Sequence, residues 1–354
     1  MTVLRRRGLL AGLIAAPLPA APLLAAPLLA APLLAAPLLA APSPAAAAPT
    51  AAAHSWPVSL VMGTAEPGGD YVVYGPAWGA LATRASGVHI SYRATEGPSQ
   101  NIILIEQGAA QLGMTSLGVA RQAWEGIGGW THAMRLRRAR ALFPMYPSLF
   151  HGIARLGTGI LRIADLSGRT VGIGPRGGTA AEYVPLMLGA LGIAPAGFRY
   201  GSYAEQSRAV VAGGLDACVA ATGVPMPAFA ALASRVRFKL LGFSRPEMAH
   251  VAALLPELRP GVIPAGAYPG LVRPVAAVGM FNFAIGAREL PDGLAFALTK
   301  AAMEGRAALR RALPEAAASR PENAPEDAVL PFHPGAAAYF RARGVAIPGR
   351  LVAA

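Results

Sequence analysis

The chain has 354 residues, 54% of them hydrophobic, and it carries a formal charge of +13 at pH 7. This length exceeds one ordinary domain and suits two lobes of roughly 120 to 150 residues each. The basic residues are dispersed and no nucleic-acid-binding motif occurs, so the charge favours small anions or an acidic surface and argues against nucleic acid as a partner.

The first 54 residues predict an export segment. Arg5, Arg6 and Arg7 precede an apolar stretch, which is the pattern of a Sec or twin-arginine signal. Residues 16–45 then repeat units such as Ala-Pro-Leu-Leu-Ala, and their regular prolines disfavour a membrane-spanning helix. We assign residues 1–54 to a signal and a linker, and we expect the remaining chain in the periplasm.

From Trp56 onward, apolar strands alternate with Gly-rich turns and helices, in two similar series. Strands that alternate with helices predict parallel sheets with right-handed crossovers. The strands are predicted at 58–62, 89–93, 111–115, 170–173, 198–200 and 216–221.

The last third of the chain predicts a strand, a long amphipathic helix from Pro291 through Leu309, and a short helix between Pro334 and Gly344. Two α/β sheets in one chain predict two lobes with a cleft at the carboxyl ends of their strands. We assign the first lobe to residues 57–146 plus 273–344 and the second lobe to 147–272.

The turn at residues 174–179 is the most informative candidate site. Amide groups at the start of the following helix can bind an anion, and Thr179 and Arg176 add a hydroxyl and a planar guanidinium suited to carboxylate. The simpler interpretation is an ordinary turn with a surface arginine, in which Thr179 and Glu182 form a capping box. The candidate ligand contacts are Arg176, Gly177, Gly178 and Thr179.

The turn at residues 63–71 occupies the matching place in the first series. It offers a hydroxyl, backbone amides and an aromatic wall for a ligand. Alternatively, Asp70 only caps the next helix and Tyr71 belongs to the core. The candidate contacts are Thr64, Gly68, Gly69 and Tyr71.

Polar residues also follow the other predicted strands, at the edge where the cleft is expected. Each residue is unspecific alone, because Ser99 and Asn101 also suit helix capping near Pro98. The candidates are Thr95, Ser99, Asn101, Thr115, Ser116, Thr222, Gly223 and Pro225.

No residue pattern indicates catalysis. The six histidines lack metal-ligand spacing, no nucleophile motif occurs, and the glutamates each have a capping or surface interpretation. Cys218 is the single cysteine and lies in an apolar run, which indicates a core residue. We therefore expect a monomeric binding protein without a metal, a cofactor or enzymatic activity.

Six tracts of the sequence, in order, resemble the TAXI family, the substrate-binding proteins associated with TRAP transporters. The resemblance spans residues 58–344, and the fifth and sixth tracts are its most diagnostic parts. The tracts are GTAEPGGDYVVYGPAWGALA, TEGPSQNIILIEQGAAQLGM, GIGPRGGTAAEYVPLMLGALGI, GGLDACVAATGVPMPAFAAL, IPAGAYPG and PFHPGAAAYFRARG.

The resemblance implies an α/β fold of the periplasmic-binding-protein type II class, with two lobes joined by hinge strands that close on a ligand. It implies delivery of that ligand to TRAP-type membrane permease subunits, and ligands that are mainly small carboxylates, including glutamate-like amino acids. The implied contacts are the turns at Thr64–Tyr71, Thr95–Asn101, Thr115–Ser116, Arg176–Thr179 and Thr222–Pro225.

The sequence also departs from the family pattern. Ala65 stands where the family usually has glycine, and Ser116 and Gly118 stand where it has glutamine and an acid. Arg176 and Gly177 replace a glycine and a serine. Compared with the family pattern, this sequence lacks an acid and has an additional arginine, and both changes favour anionic ligands. We therefore expect a dicarboxylate or a keto acid more than an amino acid.

Two other functions fit the same fold. The closed receptor could signal to a membrane sensor kinase instead of a transporter. An enzyme could also use this fold, and a ligand that is recovered chemically unchanged would argue against it.

Overall fold

Ten strands form one mixed sheet within residues 56–326 and 329–352, which the computed structural model describes. The predicted export segment and linker lie outside the described residues. None of the helices in the described ranges has the length and apolar character needed to cross a membrane.

The first half of the sheet is built from three parallel strands. Tyr74, Trp78 and Ala82 recur every four residues on the first helix and are fully buried, which turns that helix onto the core. The elements are β1 (Ser59–Gly63), α1 (Tyr71–Ser86), β2 (His89–Arg93), α2 (Pro98–Glu106), β3 (Leu112–Ser116) and α3 (Leu117–Glu125).

A long strand, β4 (Ala139–Arg155), then leaves the first half. The sequence analysis assigned no strand here, because nearly every residue is buried and the polar/apolar alternation of a strand is absent. Its prolines, Pro144 and Pro147, also argue against a strand in the sequence.

The second half of the sheet repeats the first, and the predicted parallel pairing is confirmed in both halves. Gly174 follows its first strand with φ of +74°, and a Cβ there would lie 2.4 Å from the ring of Tyr203. The elements are β5 (Thr170–Gly172), α4 (Thr179–Ala190), β6 (Gly197–Arg199), α5 (Tyr203–Ala212), β7 (Ala217–Thr222) and α6 (Pro227–Ala233).

The next elements lead back to the first half. Strand β10 pairs antiparallel with β3, β4 and β9, and its register with β4 shifts between Pro147 and Pro144. The order β2-β1-β3-β10-β4-β7-β5-β6 results, so two antiparallel strands connect the parallel halves. The elements are β8 (Phe238–Leu241), α7 (Arg245–Leu254), β9 (Arg259–Ile263) and β10 (Val275–Ala287).

The C-terminal helices are α8 (Asp292–Glu304), α9 (Arg306–Ala312) and α10 (Pro334–Ala342). The prediction of a single helix from Pro291 through Leu309 is wrong, because the helix is interrupted at Gly305 and continues as a separate helix. Glycine is a weak helix former, and a Cβ at Gly305 would lie 2.5 Å from Leu81. The two-lobe assignment stays a prediction, with residues 57–146 plus 273–344 in the first lobe and residues 147–272 in the second.

Candidate functional site

A small cavity lies between the two parallel halves, at the carboxyl ends of their strands. Its volume is about 50 Å³, which is room for a few water molecules at roughly 10 to 15 Å³ each. The first half and β4 contribute Ala65, Glu66, Gly69, Asp70, Tyr71, Glu96, Gly97, Pro98 and Ser148 to its lining. The second half contributes Pro175, Gly178, Thr179, Tyr203, Ala221 and Thr222.

Asp70 connects the two halves instead of capping α1. It occupies the N-cap position but makes no cap hydrogen bond, so the predicted capping role is wrong. Its φ of −79° and ψ of −34° are helical, whereas a capping residue usually has an extended backbone. The Asp70 Oδ2 atom accepts hydrogen bonds from the Thr222 hydroxyl and the Gly223 amide.

The other carboxylate oxygen of Asp70 is left without a protein partner. Asp70 is 5% exposed, and its Oδ1 atom has no hydrogen-bond partner among the described residues. The nearby Tyr146 hydroxyl lowers the pKa of Asp70, but it forms no hydrogen bond of normal geometry with the Asp70 carboxylate. Burial raises the pKa of Asp70, against the lowering effect of the Thr222 and Gly223 hydrogen bonds.

Two more carboxyl groups lie near Asp70. Glu66 lines the cavity, and burial together with the charge of Asp70 raises its pKa to about 7. Glu315 follows α9, and a Cβ at Gly223 would lie 2.3 Å from its Oε1 atom. Burial raises the pKa of Glu315, and the charge of Asp70 raises it further. The carboxyl oxygens of Glu66 and Glu315 have no hydrogen-bond partner in the described part of the chain.

Hydrogen bonds between loops of the two halves close the cavity further. The Thr179 hydroxyl donates to Ser116 Oγ at 2.8 Å. The Ser99 amide and hydroxyl both donate to the Gly177 carbonyl, each at 3.2 Å. Helix α4 has no side-chain cap, so the predicted capping box of Thr179 and Glu182 is wrong. The first amides of α4 therefore have no side-chain acceptor, and Gly178 and Thr179 at this helix end line the cavity.

Thr64, Thr95 and Asn101 form an internal network beside the cavity and do not line it. The Asn101 amide donates to the carbonyls of Thr64 and Met114, at 3.0 and 2.9 Å. The Thr95 hydroxyl is 2.9 Å from Asn101 Oδ1 and 3.0 Å from the Thr64 carbonyl. These side chains hold the ends of β1, β2 and β3 in place.

Arg176 lies outside the cavity. Its side chain is exposed and its guanidinium carbon lies 4.1 Å from the ring centroid of Tyr200. The sequence analysis placed this arginine against a ligand because it follows the β5 strand, but the turn directs it to the surface.

Five other candidates have mixed placements. Tyr71 and Gly69 line the cavity, and the Tyr71 hydroxyl donates to Asn282 at 2.7 Å. Gly68 has φ of +98° and packs near Ala204 and Ala228, away from the lining. Two further candidates, Thr115, buried in β3, and Pro225, which follows a cis peptide bond, do not line the cavity.

The sequence analysis missed several lining residues. Glu66 and Asp70 were assigned to capping or the surface, although two acids in one Gly-rich turn after a strand were a usable signal. Tyr203 and Ser148 carried no such signal, because their places depend on the packing of distant elements.

The described residues contain no group of three histidine, cysteine or acidic side chains that could hold a metal ion. Cys218 is fully buried, and burial raises the pKa of its thiol, so the reactive thiolate is disfavoured. The polar groups that line the cavity include the carboxyls of Glu66 and Asp70 and the hydroxyls of Thr179 and Thr222.

Comparisons with known proteins agree with this architecture. A model of the NMT1-like family matches residues 62–344. The periplasmic binding protein BugD is 12% identical and superimposes with a TM-score of 0.52 over 74% of this chain and 88% of its own. This likeness shows the fold, and the predicted type II periplasmic-binding-protein fold is confirmed.

Two further solved structures have lower similarity. The alkanesulfonate-binding protein SsuA from Xanthomonas axonopodis pv. citri, bound to MOPS, has 16% identity and a TM-score of 0.44 over 81% of this chain and 84% of its own. A binding protein component of an ABC phosphonate transporter from Pseudomonas aeruginosa has 11% identity and a TM-score of 0.45, covering 74% and 80%.

Proposed function

The chain belongs to the NMT1-like family, and from this premise we propose that it is an extracytoplasmic solute receptor that encloses one small organic ligand. The single observation that carries the proposal is the cavity between the carboxyl ends of the two parallel sheet halves. Open α/β sheets bind ligands at this edge. BugD, of the same fold, is a periplasmic binding protein.

We propose that the ligand carries a carboxylate, which binds at the start of α4. Gly178 and Thr179 line the cavity at this helix end. Backbone amides and the helix dipole both favour an anion there. This role no longer requires Arg176, which faces the surface.

The receptor function includes closure of the two halves around the ligand. In the structure, Asp70, Ser116 and Ser99 already bond to the opposite half. A ligand that contacts both halves stabilises this closed arrangement over an open one, since it binds the closed form more tightly.

The partner in this proposal is a membrane permease of the TRAP type, and the compartment is the periplasm. The support is the ordered set of six tracts that resembles the TAXI family, together with the basic, apolar start of the chain. Transport is tested by adding the purified chain to vesicles that contain the candidate permease, with uptake of labelled ligand as the readout. No uptake above permease alone would contradict this partner.

Binding in the cavity is tested by the melting temperature of the full chain with small carboxylates and amino acids. A ligand that binds only the folded protein raises this temperature. Gly69→Leu places a large side chain on the cavity lining and should abolish the rise. Gly129→Leu is the matched control, because a Cβ there has open space. An equal rise in both variants would place the ligand elsewhere.

The same experiment separates binding from catalysis. The ligand is recovered from the mixture and analysed by mass spectrometry, and the proposal predicts that it is chemically unchanged. A product that accumulates with time would instead assign an enzymatic role.

A further inference from the structure

Two buried carboxyl groups line the cavity without an ion-pair partner among the described residues, and this points to the chemical class of the ligand. Resting on the proposed function, we infer that the ligand carries an organic ammonium group that binds the carboxylates of Asp70 and Glu66. Together with the carboxylate proposed at the start of α4, this makes the ligand a small amino acid.

Several buried carboxyl oxygens near the cavity lack hydrogen-bond donors in the described part of the chain. Asp70 is 5% exposed and lines the cavity, and its Oδ1 atom has no hydrogen-bond partner among the residues that the structure describes. Both carboxyl oxygens of Glu66 and of Glu315 are also buried without partners in the described ranges. Buried carboxylates are normally paired or hydrogen-bonded, because an isolated buried charge is costly. A bound ammonium group supplies the missing donors.

The described part of the protein supplies no cation to these carboxyl groups. Among the described residues, no arginine, lysine or histidine forms an ion pair with Asp70, Glu66 or Glu315. Arg176, the basic residue of the turn at 174–179, lies over Tyr200. No metal site occurs in this part of the chain. The cation that completes the site is therefore an organic ligand.

Acidic side chains and a helix N-terminus, which favours anions, line the same small cavity. The carboxylates stand on the turn after β1, and the start of α4 faces the same cavity. The cavity of about 50 Å³ limits the ligand to a few heavy atoms unless the halves separate. A small zwitterion satisfies both ends, whereas a dicarboxylate would bring a second negative charge to Asp70.

The protonation of the site gives this inference a distinctive signature. The titratable groups that act on or respond to Asp70 are acids or phenols: Glu66, Glu315, Tyr71, Tyr146, Tyr203 and Tyr268. An ammonium ligand favours the deprotonated carboxyls, so binding releases protons and strengthens as pH rises from 6 to 8. A dicarboxylate has the opposite dependence, because it favours the protonated carboxyls.

Calorimetric titration of the full chain tests the inference with matched ligands that differ only in the ammonium group. The pairs are propionate and L-alanine, succinate and L-aspartate, and glutarate and L-glutamate. We expect at least one amino acid to bind at least tenfold more tightly than its partner, with an affinity that rises between pH 6 and 8.

Three variants locate the effect. Asp70→Asn and Glu66→Gln keep the side-chain shape and should each weaken amino-acid binding at least tenfold. Glu289→Gln, an acid outside the cavity that pairs with Arg138, should leave the affinity unchanged. Circular dichroism of each variant checks that the fold is retained.

The outcomes separate this inference from the proposed function. Binding of the simple acids as tightly as the amino acids, or unchanged binding in Asp70→Asn, would overturn the ammonium site and leave a solute receptor. No binding by any of the six ligands would overturn both.

Discussion

At the scale of single residues, the sequence indicates the turns but not the directions of their side chains. The turns at 63–71 and 174–179 both reach the cavity, yet Asp70 and Arg176 have roles opposite to those expected. Asp70 has helical dihedral angles and crosses to Thr222, whereas Arg176 stacks on Tyr200.

The surface position of Arg176 predicts a null result. If Arg176 bound a ligand carboxylate, Arg176→Ala would weaken ligand binding by about 1.5 to 3 kcal/mol, the range for a charged hydrogen bond. The structure predicts no change in affinity, because the side chain contacts Tyr200 outside the cavity. Calorimetric titration decides, and a tenfold loss of affinity would return Arg176 to the site.

The buried carboxyl groups predict how the stability of the ligand-free protein depends on pH. Burial raises the pKa of Glu66 and of Glu182 from 4.5 to about 7 in the folded protein. The folded state thus binds more protons than the unfolded state between these values, and stability falls as pH rises from 4.5 to 7. Thermal unfolding at a series of pH values measures this loss.

Glu66→Gln should remove its share of that loss, on the order of 1 to 3 kcal/mol at about 1.4 kcal/mol per pKa unit. The exposed acid Glu125 supplies the control Glu125→Gln, which should keep the slope of the original protein. An unchanged slope in Glu66→Gln would mean that Glu66 is solvated in the folded state.

At the scale of elements, periodicity finds the amphipathic helices and the half-buried strands and misses the central ones. Strand β2 was predicted with the bounds that the structure has, and α1 follows its spaced Tyr74 and Trp78. Strand β4 is buried on both faces, so no alternation distinguishes it from other apolar segments. Its partners β7, β8 and β10 are distant in sequence, and that pairing defines the centre of the sheet.

The close approach of β4 and β10 predicts a strong effect at Gly279. A Cβ there would lie 2.3 Å from the Ser148 carbonyl oxygen, which is backbone and cannot move aside cheaply. Gly279→Ala should therefore lower the free energy of unfolding by about 1 to 3 kcal/mol. Urea denaturation measures this change.

Gly189→Ala is the matched control for Gly279→Ala. Gly189 is exposed on α4 with no atom within 4 Å of a Cβ, so alanine should raise the stability by roughly 0.5 to 1 kcal/mol. Equal effects of both substitutions would show that the close strand contact is absent in solution.

At the scale of the whole molecule, the predicted class of fold is correct, because repeated strand-turn-helix units leave few alternatives. The charge of the site was not predictable from the net charge. The chain carries +13 overall, yet Glu66 and Asp70 line one cavity and Glu315 lies near Asp70. Glu315 comes from a distant part of the chain, and only the tertiary fold brings it to the turn that holds the other two acids.

The most direct measurement is a crystal structure of the full chain with the tightest-binding amino acid of the calorimetric series. The account predicts one ligand between the two sheet halves, with its ammonium group within about 3.2 Å of an Asp70 or Glu66 oxygen and its carboxylate at the start of α4. A ligand on an outer surface, or one whose carboxylate lies against Asp70, would contradict it.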